Sequence, residues 1–387
     1  MRGLFYYRTH RDDFANRGVV QKCEAYTQAF RAHGVETDVF WYSDKGLIFN
    51  DVSIFQPLLG NRKKSAGHFL LFYALGDRFL RRNVDFSRYD FFLIRHMPTH
   101  PAFLSLLKKA KKANPNLRII IELPTWPYDA EMKHWIARIM LGVDRRFRTK
   151  LKNVTDRFLH YGAEREIWGV PTIFVQNGID LSRIPKPVYH EPPKDLIRII
   201  FIGSMGYWHG LDRLLHGMRD FMDRHADTKL QLKVLGMGAE SEEIRALVHR
   251  FHLSGAVQLI PPCSGEEFDA QMAQADLGIG TLGIHRIGIP LNSALKHRTY
   301  CAYGLPFIFA GEDADFPPEY PFCLRFPADE TPVSVGMVLD FLAGIREGFP
   351  DAALRIRDYA EENLDWSRKV EPVLEYLDME RIFPLVA

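Results

Sequence analysis

Cysteine is scarce in this chain. Cys23, Cys263, Cys301 and Cys323 are the only four in 387 residues, and none forms a CxxC pair. That argues against a zinc site or a disulfide framework and fits a reducing cytosol. An excess of one charge is missing too. The 50 basic and 48 acidic residues leave a net charge of +2, which argues against a dedicated nucleic-acid surface and makes any basic patch local. No apolar run reaches the ~18 residues that span a bilayer. The first residues, MRGLFYYRTHRDD, hold no apolar h-region, so no signal peptide is expected. Neither an internal repeat nor a low-complexity tract is present, and no cluster of metal-ligating residues is visible.

What remains is an ordinary globular composition, 47% hydrophobic and 25% charged, at a length that suits two domains. Pro185, Pro187, Pro192 and Pro193 mark a linker. The expected domains are therefore 1–185 and 186–365. A last helix, within 366–387, follows a break at Leu364-Asp365.

The first half alternates strand and helix. Gly3–Tyr7, Val35–Tyr42, Tyr89–Ile94, Leu117–Ile121, Arg157–Tyr161 and Thr172–Val175 read as strands, with helices between them. That order predicts a parallel sheet with crossover helices. In such a sheet the ligand crevice lies at the carboxyl ends of the strands. Arg95, His96 and the loop Glu122-Leu-Pro-Thr-Trp-Pro-Tyr-Asp-Ala-Glu131 fall at such ends. Glu122, Asp129 and His96 are candidates to bind hydroxyls, and Trp126 to lie against a sugar face. Gly18 opens a helix where backbone can come close to a ligand. Two stretches, 61–83 and 132–152, mix basic and apolar residues, as helices resting on an anionic membrane surface do.

The second half repeats the alternation and adds two phosphate-like features. Ile197–Ile202 reads as a buried strand, followed by Gly203-Ser204-Met205-Gly206, then His209-Gly210 and a helix. Strand, glycine loop and helix is the arrangement that binds phosphate through backbone N–H groups. No complete GxGxxG is present. The second feature is residues 287–310. Asn292 and Ser293 suit the N-cap of a helix running from Ala294 to Tyr303, closed by Gly304 and Pro306. Lys296 and Arg298 lie in its first turns, so the helix start is a candidate diphosphate seat. Pro261 and Cys263, in the loop Pro261-Pro262-Cys263-Ser264, are placed to hold a nucleobase.

At these residues the sequence resembles the family 4 glycosyltransferases, retaining enzymes of the GT-B fold. Four passages carry the likeness: Phe201–Asp212, Gln176-Asn-Gly-Ile-Asp180, Glu122–Glu131 in the form found in capsule and exopolysaccharide enzymes, and Leu295–Pro306. The resemblance implies an α/β protein with two Rossmann-like domains whose parallel sheets face across a cleft. It implies an acceptor-binding first domain, a nucleotide-sugar-binding second domain and a C-terminal helix that crosses back to the first. It also implies transfer from a UDP- or GDP-sugar to a glycan or lipid-linked acceptor, with retention and without metal or cofactor. The expected setting is the cytoplasm, peripheral on the inner face of the membrane, in polysaccharide synthesis.

Two departures bear on activity. The family has paired glutamates for the donor's sugar and ribose; Leu291 and Thr299 stand there. It often has Arg and Lys in the first donor loop; Ser204 and His209 stand near those places. The expected catalytic groups are thus His209, Lys296 and Arg298. Donor contacts are expected from Gly18, Gly203, Ser204, Met205, Gly206, Pro261, Cys263, Asn292, Ser293 and Thr299. The competing readings are a sugar-nucleotide epimerase of the same shape and a non-catalytic GT-B-like binding protein.

Overall fold

The computed structural model describes residues 1–12, 17–43, 46–55, 66–129, 132, 135–187, 196–225 and 228–382. Residues 61–65 of the first basic stretch, Pro192, Pro193 and Glu131 lie outside these. The chain divides into two compact units, Met1–Val175 with Lys369–Ala387, and Gln176–Arg368. The sequence reading put the first division at 185 and gave 366–387 to the last helix. The segment after Val175 belongs with the second unit because it is fastened there. Ile179 pairs with Asp365, and its N–H reaches the Leu364 carbonyl at 2.8 Å.

The first unit is built on β1 (Arg2–His10), β2 (Glu36–Ser43), β3 (Gly46–Phe49), β4 (Val52–Phe55), β5 (Phe91–Arg95), β6 (Arg118–Glu122), β7 (Arg157–His160), β8 (Glu166–Ile167) and β9 (Val170–Phe174). They form one sheet in the order β4-β3-β2-β1-β5-β6-β7-β9-β8. From β2 to β9 the pairing is parallel, as predicted; β3, β4 and β8 are antiparallel edges. Leu4, Phe5, Tyr6 and Tyr7 are all buried, so β1 is covered on both faces and reads as an unbroken apolar run. Its helices are α1 (Arg17–Ala32), α2 (Ala66–Asn83), α3 (Pro101–Ala113) and α4 (Trp135–Phe147). The hairpin β3–β4 was not foreseen. It turns at Asn50-Asp51, both left-handed (φ 44° and 69°), the conformation of a two-residue hairpin turn.

The second unit holds β10 (Leu196–Ile202), β11 (Lys229–Leu235), β12 (Val257–Ile260), β13 (Leu277–Ile279), β14 (Leu291–Asn292), β15 (Phe307–Ala310), β16 (Glu312–Asp313) and β17 (Cys323–Phe326). Its main sheet runs β12-β11-β10-β13-β15-β17 and is parallel throughout. The helices are α5 (Leu211–Met222), α6 (Ser241–Arg250), α7 (Glu266–Ala273), α8 (Leu295–Ala302), α9 (Val335–Gly348) and α10 (Ala352–Asn363). Then come α11 (Trp366–Lys369) and α12 (Glu371–Ile382). Strand order reverses at β10: β11 and β12 go one way, β13, β15 and β17 the other. The gap between the carboxyl ends of β10 and β13 is therefore the switch point at which open α/β sheets bind ligands.

One predicted helix start is corrected. Leu291–Asn292 is a short strand paired with Glu312–Asp313, and α8 begins only at Leu295 with Ala294 at its N-cap. Ser293 cannot cap it, because its hydroxyl accepts the Asn177 N–H at 2.8 Å. The other end is as read: Gly304 is left-handed (φ +70°) and the Leu305 N–H returns to the Tyr300 carbonyl at 2.9 Å.

Candidate functional site

The switch point is held together by close backbone approach. Gly203 leaves β10 at φ +115°, and its N–H bonds the Leu235 carbonyl at 3.0 Å. Gly236 answers from the end of β11 at φ +145°. A Cβ on it would lie 2.0 Å from the Gly203 oxygen, so only glycine fits. From the other side, the Leu282 and Gly283 N–H groups bond the His209 and Trp208 carbonyls at 2.9 and 3.2 Å. The glycine loop is thus clamped between the ends of β11 and β13. Ser204 is exposed at its tip, and Gly206 is half-buried. Met205 is 2% exposed and packs into the core, so its backbone alone remains for a ligand.

Lys296 approaches this loop from α8. Its Nζ sits 3.8 Å from the centre of the Phe201 ring, and 3.8 Å from where a Cβ on Gly203 would be. The side chain is buried, and Nζ has no hydrogen-bond partner among the described residues. Burial alone pushes the amine well below its ordinary value. His209 is the neighbour. Burial pushes its ring well below the usual imidazole range, and a charge on Lys296 would push it further the same way, so it is neutral whichever state Lys296 is in. Nδ1 accepts the Gly206 N–H at 3.0 Å, which puts the proton on Nε2. Lys296 and the Nε2–H of His209 are donors of the kind an anion recruits.

Arg298 is a correction. The predicted phosphate ligand is 0% exposed, and its guanidinium is fully engaged within the second unit. Nη1 and Nη2 fork onto Asp313, Nη2 also meets Asp315 and the Gln176 amide oxygen, and Nε donates to the Asn177 carbonyl at 3.1 Å. No donor is left for a diphosphate. Asp313 also takes the Nδ1–H of His297 at 2.8 Å, and the Thr281 N–H reaches Nε2 of that ring at 3.3 Å. The network ties α8 to the ends of β13 and β15 and so aims Lys296.

The other donor-side residues divide. Thr299 returns its hydroxyl to the Leu295 carbonyl at 3.1 Å, and Ser293 is buried. Among the described residues the Asn292 amide nitrogen is buried without a partner, as are Gln176 Nε2 and Asn177 Oδ1. Pro261 is exposed and Cys263 half-buried after β12, two strands from β10. Gly18 stands in the first turn of α1, where an added Cβ would meet nothing within 4 Å. Close approach does not explain that glycine.

In the first unit, the predicted acceptor carboxylates are already neutralised. Glu122 is buried under Lys22 (2.6 Å), the Tyr161 hydroxyl (2.6 Å) and Arg95 (3.1 Å). Burial raises it, but the charges of Lys22 and Arg95 outweigh that and leave it at about 2. Asp129 is held below its ordinary range by Arg148 and, after it, Arg145. His96 is buried, pushed down to about 3 by burial and then the charge of Arg8, and bonds Thr99 at 3.2 Å. Trp126 is half-buried with its ring edge against Trp168, 4.9 Å away. Glu122 and Asp129 are thus corrected to ties between elements, since a carboxylate paired with two cations is not offered to a sugar. Glu122 then makes stability depend on pH. Its folded value lies below the unfolded one, so its contribution is full above about pH 4.5 and is lost as pH falls through about 2. Denaturant titrations followed by tryptophan fluorescence should show a loss of order 2–3 kcal/mol across that window. The pH dependence should be flatter in E122Q.

Among the described residues no group of three metal-ligating side chains is assembled, and no helix is long and apolar enough to cross a membrane. No protein-family profile matches the chain, and no curated protein sequence does. Solved structures do. Sucrose-phosphate synthase from Thermosynechococcus elongatus superposes with a TM-score of 0.67 at 14% identity, over 100% of both chains. A glycosyltransferase from Rickettsia africae gives 0.63 at 10%, over 99% of both. HepE from Anabaena, solved with UDP-glucose, gives 0.60 at 13%, over 98% of this chain and 100% of its own. At such identities the likeness establishes the fold, and the fold is GT-B.

Proposed function

We propose that this protein is a retaining glycosyltransferase. It moves a sugar from a UDP- or GDP-sugar to a glycan or lipid-linked acceptor in polysaccharide synthesis. The observation that carries the reading is the buried Lys296 amine, unpartnered beside a glycine loop at the switch point. A buried donor without a partner costs free energy unless a ligand uses it. In the reaction the bond between the anomeric carbon and the diphosphate oxygen breaks, and its electron pair leaves with the diphosphate. The acceptor oxygen bonds that carbon and passes its proton to the departing diphosphate. Charge grows on the diphosphate, so Lys296, the Nε2–H of His209 and the N–H groups of Ser204 and Met205 are the expected stabilising groups, those of Gly203 and Gly206 being bonded to the Leu235 carbonyl and His209 Nδ1. Gly203, Ser204 and Gly206 border the diphosphate; Pro261 and Cys263 border the base. His96 and Trp126 stay with the acceptor side as shape, without a free carboxylate. Arg298 is a positioning residue.

Support also comes from relatives of the same fold. HepE has been solved with UDP, with UDP and glucose, and with UDP-glucose. WaaG is a glycosyltransferase involved in lipopolysaccharide biosynthesis and superposes at a TM-score of 0.58. For the setting, α4 exposes Trp135 (66%) and Ile139 (55%) beside Arg138, Arg145 and Arg146. That face suits an anionic cytoplasmic membrane surface. One feature favours a second reading, a non-catalytic binding protein: no carboxylate stands at Leu291 or Thr299, and the Thr299 hydroxyl is spent on its own helix.

The test is calorimetry with UDP-glucose and GDP-mannose, followed by proton NMR of any product. Binding of one donor and an unchanged anomeric configuration are the expected results. Binding without turnover on any glycan or lipid-linked acceptor favours the second reading, and an inverted product sinks retention.

A further inference from the structure

We infer that Lys296 is an uncharged amine in the donor-free protein and takes a proton from solvent when a nucleotide diphosphate enters, so that donor binding consumes one proton. The inference rests on the donor reading above and adds the protonation state to it. The geometry is one of isolation. Phe201 of β10 meets the amine with a ring face at 3.8 Å, Gly203 of the loop brings no side chain, and the neutral His209 ring packs against Phe201 with centroids 5.4 Å apart. On its own helix the charged or titratable neighbours are His297, Arg298 and Tyr300; none adds negative charge, the Tyr300 hydroxyl being pushed above its ordinary range by burial and donated to the Ile279 carbonyl. The acids of that neighbourhood are Asp313, spent on His297 and Arg298, and Asp315, engaged by Arg298. Nζ has no hydrogen-bond partner among the described residues. The Phe201 ring offsets part of the cost of a buried ammonium, but it gives none of its N–H groups an oxygen.

A diphosphate reverses every one of these conditions. It brings acceptor oxygens and negative charge to a lone amine, and an opposite charge within a few ångströms favours the protonated form. The proton comes from bulk water, or in an experiment from the buffer. Arg298, two residues on, cannot do this, because a guanidinium stays charged throughout.

UDP-glucose is the probe, because its diphosphate is a diester with no proton to exchange near neutrality. Its binding enthalpy to the full chain is measured at pH 7.5 in phosphate and in Tris. The dependence on buffer ionisation enthalpy counts protons, and uptake of about one per UDP-glucose is expected. Lys296→Met keeps the length and removes the amine; uptake should fall to nearly zero and affinity at least ~10-fold. In H209Q, binding weakens but the proton count stays. K296M should also melt a few degrees higher, about 2–4 °C, because an unpartnered amine no longer sits among apolar groups. UDP-glucose binding without proton uptake overturns the inference and leaves the donor reading standing. So does uptake unchanged in K296M, or a lower melting temperature for it. If neither UDP-glucose nor GDP-mannose binds, the donor reading fails and takes this inference with it.

Discussion

Lys296→Ala is expected to lower kcat/KM for sugar transfer by about 10²–10³-fold. The figure follows from what the residue has to do. A departing diphosphate gains charge as the glycosidic bond stretches, and a positive group in a dry site stabilises that gain more than it stabilises the bound donor. The loss should therefore fall mainly on kcat, with a smaller rise in KM. The protein itself should tolerate the change. Nζ makes no hydrogen bond that the variant could break, and the stem lost from the face of Phe201 is partly offset by removing a buried amine. Equal kinetics in K296A and wild type would dismiss Lys296 from the site. A rise in KM alone would make it a ground-state contact.

Asp313→Asn should cost about 3–5 kcal/mol of stability in the second unit. Asp313 is 2% exposed and faces the fully buried Arg298 with both oxygens. Burial raises its carboxyl, but Arg298 outweighs that and holds it at about 2. An amide in its place leaves a guanidinium in the interior facing Asp315 alone among its carboxylates, and one of its oxygens becomes an NH₂ that accepts nothing. His297 then loses the acceptor for its Nδ1–H. The measurement is urea unfolding, with a midpoint shift at unchanged slope as the expected result. Arg298→Ala should behave the same way, as a folding defect. A stable R298A with weak donor binding would restore that residue to the diphosphate. The pH dependence has the same sign as for Glu122: full stabilisation above about pH 4, lost as pH falls toward 2.

The contrast between Lys296 and Arg298 says how far the sequence could be read. Residues two apart on a helix point about 200° away from each other. The two cations could not both face one ligand, a constraint in the spacing that assigning both to the diphosphate passed over. Which one turned inward was not legible there. The decision lies with Asp313 and Asp315, acids that reach Arg298 only after β15 and its loop have folded back. The parallel sheets were legible because strands such as β10, buried on both faces over Ile199–Ile202, carry continuous apolar runs. The β3–β4 hairpin hid because its turn, Asn50-Asp51, lacks the glycine that usually advertises two left-handed residues. Glu122 was read as a sugar ligand because a carboxylate at a strand end looks open. Lys22, a hundred positions earlier in the chain, closes it. Gly203 and Gly206 were read correctly as a loop, while the reason Gly236 is a glycine appears only when β11 lies beside β10.

The first unit is interrupted in sequence. Its sheet is complete by Phe174, yet α12 packs on β9 and Arg157 lies over the Tyr376 ring at 4.7 Å. On a ribosome, then, residues 176–368 emerge and can fold while their host still waits for its final helix. A nascent chain stalled before residue 369 would carry a finished insert on an unfinished host. Arrival of α12, rather than growth of either sheet, would complete the first unit.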